Sequence, residues 1–460
     1  MSTIQTSNPA TGRPITSYEA WDAERIETAV QRAHAASRAW ALIPVAERAS
    51  RVARIGQALR SHAGHLTRLV VEEMGKPLAE ARGEVDKSAL TADYYAANGP
   101  GILADVRVAV DGAEAWVSYE PAGLVLAVMP WNFPVWQVMR FALPSLVAGN
   151  GILLKHASNV TGSALALQDL CVRAGLPEHL VTALLIADAD VPGTTARLIE
   201  DDRIAAVTLT GSNRAGAAVG SAAGRAAKKS VLELGGSDAF VVLADADIEQ
   251  AAAAAVKARF TNSGQSCVCA KRFIVHQDVA DAFTEAFVAG VEELTVGDPR
   301  DPGTQVGPLA RNDLREAIQR QVEDSVAAGA RLLTGGKALP GDGFFYQPTV
   351  LADTEPGMAA FDEETFGPLA AIAVASDEDD AVRLANATSF GLGLSVWTAR
   401  SARGIEVARR ITSGAAFVNA VVASDPRLPF GGTKRSGHGR ELADAGIREF
   451  TNTRTYWIGH

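Results

Sequence analysis

The sequence predicts an α/β protein of two or three domains, and three observations carry that expectation. From Leu124 to Val242 short apolar runs alternate with helix-like stretches, the signature of βαβ units around a parallel sheet. At 460 residues the chain is too long for one simple core. Two β-prone segments, one around Asp111 and one at Thr451–Ile458, stand outside that alternation and need a sheet of their own to join.

The elements follow in order. The first hundred residues read as helical: Asp22 is a helix cap, and Ile26, Val30, Ala33 and Trp40 recur at helical spacing behind it. The period then changes. Val106, Val108 and Val110 alternate with Arg107 and Ala109, Asp111-Gly112 supplies a turn, and Trp116-Val117-Ser118-Tyr119 follows, which predicts a hairpin. The apolar runs Leu124–Val128, Ile152–Leu154, Val181–Ile186, Ile204–Leu209, Ser230–Leu232 and Ala239–Leu243 are the candidate parallel strands. A second α/β region is expected from about Ile248 to Arg435. The tail and the Asp111-Gly112 hairpin are both placed at a subunit interface.

Composition narrows the class. With 47% hydrophobic and 21% charged residues the chain reads as an ordinary globular protein. No window reaches the roughly 18 uncharged apolar residues of a membrane span. The stretch Met1–Pro14 is polar and has no apolar signal core. Three cysteines are too few for a disulfide framework, so a reducing, cytoplasmic setting is expected. The balance of 43 basic against 53 acidic residues gives −10, with no Lys/Arg stripe, so no nucleic-acid partner is expected. That charge repels an anionic substrate at long range, and any such substrate needs a local cation. No metal site is expected.

Three residues in turn-rich surroundings propose a chemistry. Cys267 ends the polar loop Asn262-Ser263-Gly264-Gln265-Ser266 ahead of a likely strand, with Lys271 and Arg272 four and five positions on. It is either an inert core cysteine or a thiolate nucleophile. Glu233, among leucines at a strand end before Gly235-Gly236, is either a solvent-facing strand terminus or a carboxylate that resists ionisation and serves as a general base. Asn132, in a turn fixed by Pro130 and Pro134, is either a favoured turn residue or an oxyanion donor. No Gly-x-Gly-x-x-Gly is present. Instead Thr210-Gly211-Ser212 through Gly216 follows a strand and opens a helix, an arrangement that admits a diphosphate near helix N–H groups.

Together these stretches resemble the aldehyde dehydrogenase superfamily over essentially the whole chain. The marks are Pro130-Trp131-Asn132-Phe133-Pro134, Lys155, Gly211-Ser212 with Gly216, Glu233-Leu234-Gly235-Gly236, Gly264-Gln265-Ser266-Cys267, Glu364-Thr365-Phe366-Gly367-Pro368 and Pro429-Phe430-Gly431-Gly432. The resemblance implies a Rossmann-like cofactor domain (1–102 and 122–235), an α/β catalytic domain (236–435) and a small β oligomerisation element (103–121 and 445–460). It implies that Cys267 attacks an aldehyde, that Asn132 holds the oxyanion, and that Glu233 activates water to hydrolyse a thioester. Trp131, Lys155, Ser158, Gly211, Ser212, Gly216, Leu234, Glu364 and Phe366 are then cofactor-binding. A homodimer or homotetramer is implied as well.

Within the superfamily the chain is most similar to the shorter bacterial succinate-semialdehyde dehydrogenases that accept NADP. NAD-preferring members usually carry Glu where this chain has Ser158, and serine removes a charge that would repel a 2′-phosphate, so NADP is expected, with NAD possible. The same resemblance assigns Arg140 and Ser424 to the substrate's distal carboxylate and Trp136 to the tunnel wall. A second arginine that many longer members carry is replaced by Thr261, which leaves glutarate semialdehyde and neutral short aldehydes as alternatives. An acylating enzyme using coenzyme A is disfavoured by Glu233, and a non-catalytic structural oligomer by the intact Cys267, Glu233 and Asn132. Cys269, two residues beyond the nucleophile, either packs in the core or closes a disulfide on a bent backbone.

Overall fold

The computed structural model describes residues 2–459. Its first element departs from the helical expectation: strands Thr3–Ser7 and Pro14–Glu19 pair antiparallel before any helix begins. They are short and largely polar, so neither leaves a periodic apolar signal. The helix Ala23–Ala41 then starts where the Asp22 carboxylate accepts the Arg25 N–H at 2.8 Å. It buries Ile26, Val30, Ala33 and Trp40, and the Trp40 indole donates to the Leu146 carbonyl at 2.8 Å.

A six-stranded sheet follows, ordered Gly437–His438, Lys229–Glu233, Ile204–Thr210, Leu124–Met129, Gly151–His156, Val181–Ala183. Five strands are parallel, and the edge strand Gly437–His438 pairs antiparallel with Glu233 and Leu232. Alternation along Leu124–Met129 sends Val125, Ala127 and Met129 into one apolar cluster and Leu124 and Leu126 into another. The sheet is therefore covered on both faces, as a parallel sheet must be.

The sixth apolar run does not join this sheet. Asp238–Val242 belongs to a seven-stranded sheet that also holds Ala270–His276, Leu369–Ala375 and Leu394–Trp397. Gly235-Gly236 lets the chain leave one sheet and enter the other within a few residues. A Cβ on Gly236 would stand 2.7 Å from the Cys267 carbonyl oxygen, so only glycine admits the cysteine loop at this seam.

The Asp111-Gly112 hairpin pairs Val106–Val110 with Ala113–Pro121, and Thr451–Gly459 adds the third strand along the whole length of the second. Trp116 and Tyr456 stack at 4.9 Å across it. Val106, Val108, Trp457 and Ile458 remain exposed on this small sheet. No helix among the described residues is long and apolar enough to cross a membrane.

Candidate active site

Cys267 follows a strained loop. Asn262, Ser263 and Gly264 take left-handed φ values of 56°, 54° and 74° in succession. Only glycine does so without cost, so the surroundings must hold the other two in place. They do. The Glu80 carboxylate accepts the Asn262 N–H at 2.6 Å, the Ser263 hydroxyl accepts from Gly307 N at 2.9 Å, and Gln265 Oε1 accepts from Ala310 N at 2.9 Å.

The same network fixes Asn132. Its amide nitrogen donates to the Gln265 carbonyl at 3.1 Å, while Asn262 Nδ2 donates to the Asn132 carbonyl at 2.9 Å. One Asn132 N–H remains to meet an oxyanion. The helix Trp136–Ala148, which begins just beyond, has no cap from its own sequence. A distant residue serves instead: Glu84 Oε1 accepts from Val135 N at 2.7 Å and Trp136 N at 2.9 Å, and its other oxygen pairs with buried Lys76.

Glu233 ends its strand at the seam between the sheets, with Gly211 N donating to its carbonyl at 2.9 Å. Its side chain is buried and Oε1 has no hydrogen-bond partner. A Cβ on Gly431 would stand 2.8 Å from that oxygen, so the Phe430-Gly431-Gly432 turn makes the room it occupies. Burial and the neighbouring Glu441 carboxylate raise the Glu233 pKa well above its ordinary value, against the pull of Arg140 and Arg440. Glu441, raised by burial as well, is ion-paired to Arg140.

The thiol of Cys267 is pushed up to about 12 by burial, with Arg140 and Lys271 acting in the opposite direction. Of the two cations after the cysteine, only Lys271 serves the loop. Its ammonium donates to the Ser266 and Cys267 carbonyls at 3.1 and 2.8 Å. Arg272 turns away to the carbonyls of Ser237, Leu384 and Ala385. Cys269 is buried with its sulfur 3.6 Å from the Thr261 carbonyl, and both cysteines are free.

Two cavities meet at Cys267. One, of about 250 Å³, is lined by Trp131, Asn132, Gly211, Ser212, Glu233, Leu234, Glu364 and Phe366. Trp131 and Phe366 meet edge to face at 5.6 Å, and Glu364 is held by Gly236 N at 2.9 Å. Ser212, which lines this space, caps the helix Asn213–Arg225. A Cβ on Gly216 would collide with Leu234 at 2.5 Å, so the helix packs tightly on the strand end. This lining fits a dinucleotide. Lys155 and Ser158 lie apart, on a second shallow site: Lys155 Nζ donates to the His156 carbonyl at 2.5 Å, and the Ser158 hydroxyl donates to Asp188 at 3.0 Å.

The other cavity, of about 500 Å³, brings Cys267 together with Trp136, Arg140, Thr261, Ser424 and Phe430. Lys87 is there too, unforeseen from sequence, as are Glu80 and Glu84. Nothing in the helix Leu78–Ile102 punctuates the sequence at these positions.

Residues 1–456 match the model of the aldehyde dehydrogenase family. The chain belongs to that family. It is 48% identical over 450 residues to Escherichia coli (strain K12) succinate semialdehyde dehydrogenase NAD(P)+ Sad, covering 98% of this chain and 96% of that one. Its identity to the succinate-semialdehyde dehydrogenase NADP(+) 1 of Mycobacterium ulcerans (strain Agy99) is 47%, covering 99% of this chain and all of the relative. Among solved structures, the succinic semialdehyde dehydrogenase of Streptococcus pyogenes in complex with NADP+ superposes with a TM-score of 0.96 at 34% identity, covering 99% of this chain and 100% of that one. Family membership gives the constellation its reaction class, NAD(P)-dependent oxidation of an aldehyde to an acid.

Proposed function

We propose that this dehydrogenase converts succinate semialdehyde to succinate with NADP as the preferred cofactor, and that Cys267, Asn132 and Glu233 are its catalytic residues. The observation that carries the proposal is the placement of Cys267 at the junction of two cavities, one fitting a dinucleotide and the other lined by cations. The names of the two curated relatives supply the substrate and cofactor.

Cys267 Sγ gives up its proton and forms a bond to the aldehyde carbon. That proton passes to solvent, which leaves the Glu233 carboxylate, lining the same cavity, free for the later step. The negative oxygen that results meets the free Asn132 N–H and the Cys267 backbone N–H. NADP, when bound, supplies the hydride acceptor. The thioester left on Cys267 is then hydrolysed by water that loses a proton to Glu233, releasing the acid and the thiolate. The raised pKa of Glu233 suits that transfer near neutrality. Trp131, Phe366, Glu364, Gly211, Ser212, Gly216 and Leu234 hold the cofactor's nicotinamide half, and Lys155 and Ser158 its adenosine half.

An aldehyde panel run with each cofactor tests the proposal. Succinate semialdehyde with NADP should give the highest kcat/KM; a strong preference for NAD, or equal use of butanal, overturns the corresponding part. The exposed Val106, Val108, Trp457 and Ile458 support burial of the three-stranded sheet in a homodimer or homotetramer.

A further inference from the structure

Three cations line the substrate cavity: Lys87, Arg140 and Lys257. Arg140 is 2% exposed, its guanidinium is ion-paired with Glu441, and it lies over the Phe430 ring at 4.7 Å. Its charge is already answered inside the protein, and a substrate carboxylate would have to compete with a buried one. Lys257 is exposed. Lys87 differs from both. Its ammonium donates to the Ser424 hydroxyl at 2.7 Å and lies over the Trp136 ring at 4.4 Å. Among the described residues no carboxylate is within ion-pair distance of it. The two acids whose charge acts on it, Glu84 and Asp425, are committed elsewhere, Glu84 to Lys76 and Asp425 to Arg427 at 2.7 Å.

We propose that Lys87, together with the Ser424 hydroxyl, binds the distal carboxylate of the substrate and is the residue that makes this enzyme select a carboxylate-bearing aldehyde. An ammonium has three donors, and Ser424 takes one. Because Ser424 Oγ accepts from Lys87, its own O–H is free to donate, so two donors converge on one point of the cavity. The Trp136 face holds the ammonium in place from a third side. Lys87 thereby supplies the cation that Thr261 does not. Burial lowers the Lys87 pKa to about 8, with Arg140 adding to the shift, and an arriving carboxylate relieves both effects.

The assignment rests on the semialdehyde reading above, and the test separates the two. The wild-type enzyme with NADP, Lys87→Met and Lys87→Arg are compared on two pairs of equal chain length: succinate semialdehyde with butanal, and glutarate semialdehyde with pentanal. Lys87→Met should lose about 10- to 100-fold in kcat/KM on the charged member, mostly through KM, and under about 3-fold on the neutral one. Lys87→Arg should regain most of the loss. If Lys87→Met keeps the wild-type preference for the charged aldehyde, the Lys87 assignment is wrong and the substrate reading stands. If the preferred aldehyde is glutarate semialdehyde and Lys87→Met loses it, Lys87 is upheld and the four-carbon substrate is not. An enzyme indifferent to charge in both pairs overturns both. A measurement on the wild-type protein guards against a variant that does not fold. Succinate should protect Lys87 from acetic anhydride, read by peptide mass spectrometry, and unchanged labelling overturns the assignment.

Discussion

The two cavities that meet at Cys267 are built from different materials. On the cofactor side the walls are backbone turns: Gly211-Ser212 at a strand end, Gly235-Gly236 at the seam between sheets, and the Pro130–Pro134 turn around Asn132. On the substrate side they are mainly side chains from three helices, Leu78–Ile102, Trp136–Ala148 and Ile248–Phe260, and from the loop carrying Ser424. Backbone walls leave little to adjust, since Gly235 and Gly236 are each required by a close approach. Side-chain walls can change charge or length while the helix beneath stays the same. The first side sets the reaction, the second the molecule that undergoes it.

The largest test of that division falls on the reaction side. Glu233→Gln should lower kcat by about 10²- to 10⁴-fold while leaving the first hydride transfer fast, so stopped-flow absorbance shows a burst of about one equivalent followed by slow turnover. Protonated Glu233 cannot take a proton from water, and its pKa is raised, so wild-type kcat should fall as pH drops through a midpoint well above the ordinary glutamate range. The same limb should be missing from the glutamine variant. A smooth progress curve without a burst would place Glu233 outside thioester hydrolysis.

A smaller effect probes the tie between the sides. Glu84 lies on the substrate cavity yet caps the helix that follows Asn132. Glu84→Gln strands Lys76 as a buried cation and should cost about 3–5 kcal/mol of stability, read as a lowered melting temperature. Activity should fall alike for charged and neutral aldehydes; a loss confined to charged ones would make Glu84 part of substrate recognition instead. The smallest effect concerns the cofactor's adenosine half. Asp188 accepts from Ser158 where a 2′-phosphate is expected, so Asp188→Asn should raise kcat/KM for NADP over NAD by about 3- to 10-fold. An unchanged ratio would separate Ser158 from cofactor choice.

The same contrast explains what the sequence made legible. Cofactor-side residues sit among glycines and prolines, and the resemblance to aldehyde dehydrogenases runs through those same turns, so Trp131, Ser212, Leu234, Glu364 and Phe366 are named from it before any coordinates exist. The parallel strands were readable for a related reason, since each is buried on both faces and so continuously apolar. Lys87 and Glu84 carry no such mark. On Leu78–Ile102 they stand among Glu80, Arg82 and Asp86, and a charged run on a helix reads as a solvated face. Only the packing of that helix turns three of these charges, Glu80, Glu84 and Lys87, inward. The Arg140–Glu441 pair was equally invisible, because it joins distant parts of the chain. The strands at Thr3–Ser7 and Pro14–Glu19 were missed because they are largely polar and so show no apolar alternation.

The edge strand Gly437–His438 has a bearing on biosynthesis. It covers the open side of Lys229–Glu233, and the turn beside it shapes the pocket of the catalytic carboxylate. Chains fold from the N-terminus as they are made. The central sheet can thus assemble on the ribosome with one flank bare, a row of unpaired N–H and C=O groups open to another chain. The Glu233 end of that flank closes only once residues 437–438 have been made. Chains cut short before that strand would therefore be both inert and prone to aggregate, which couples completion of the active site to the synthesis of a segment far downstream of Glu233.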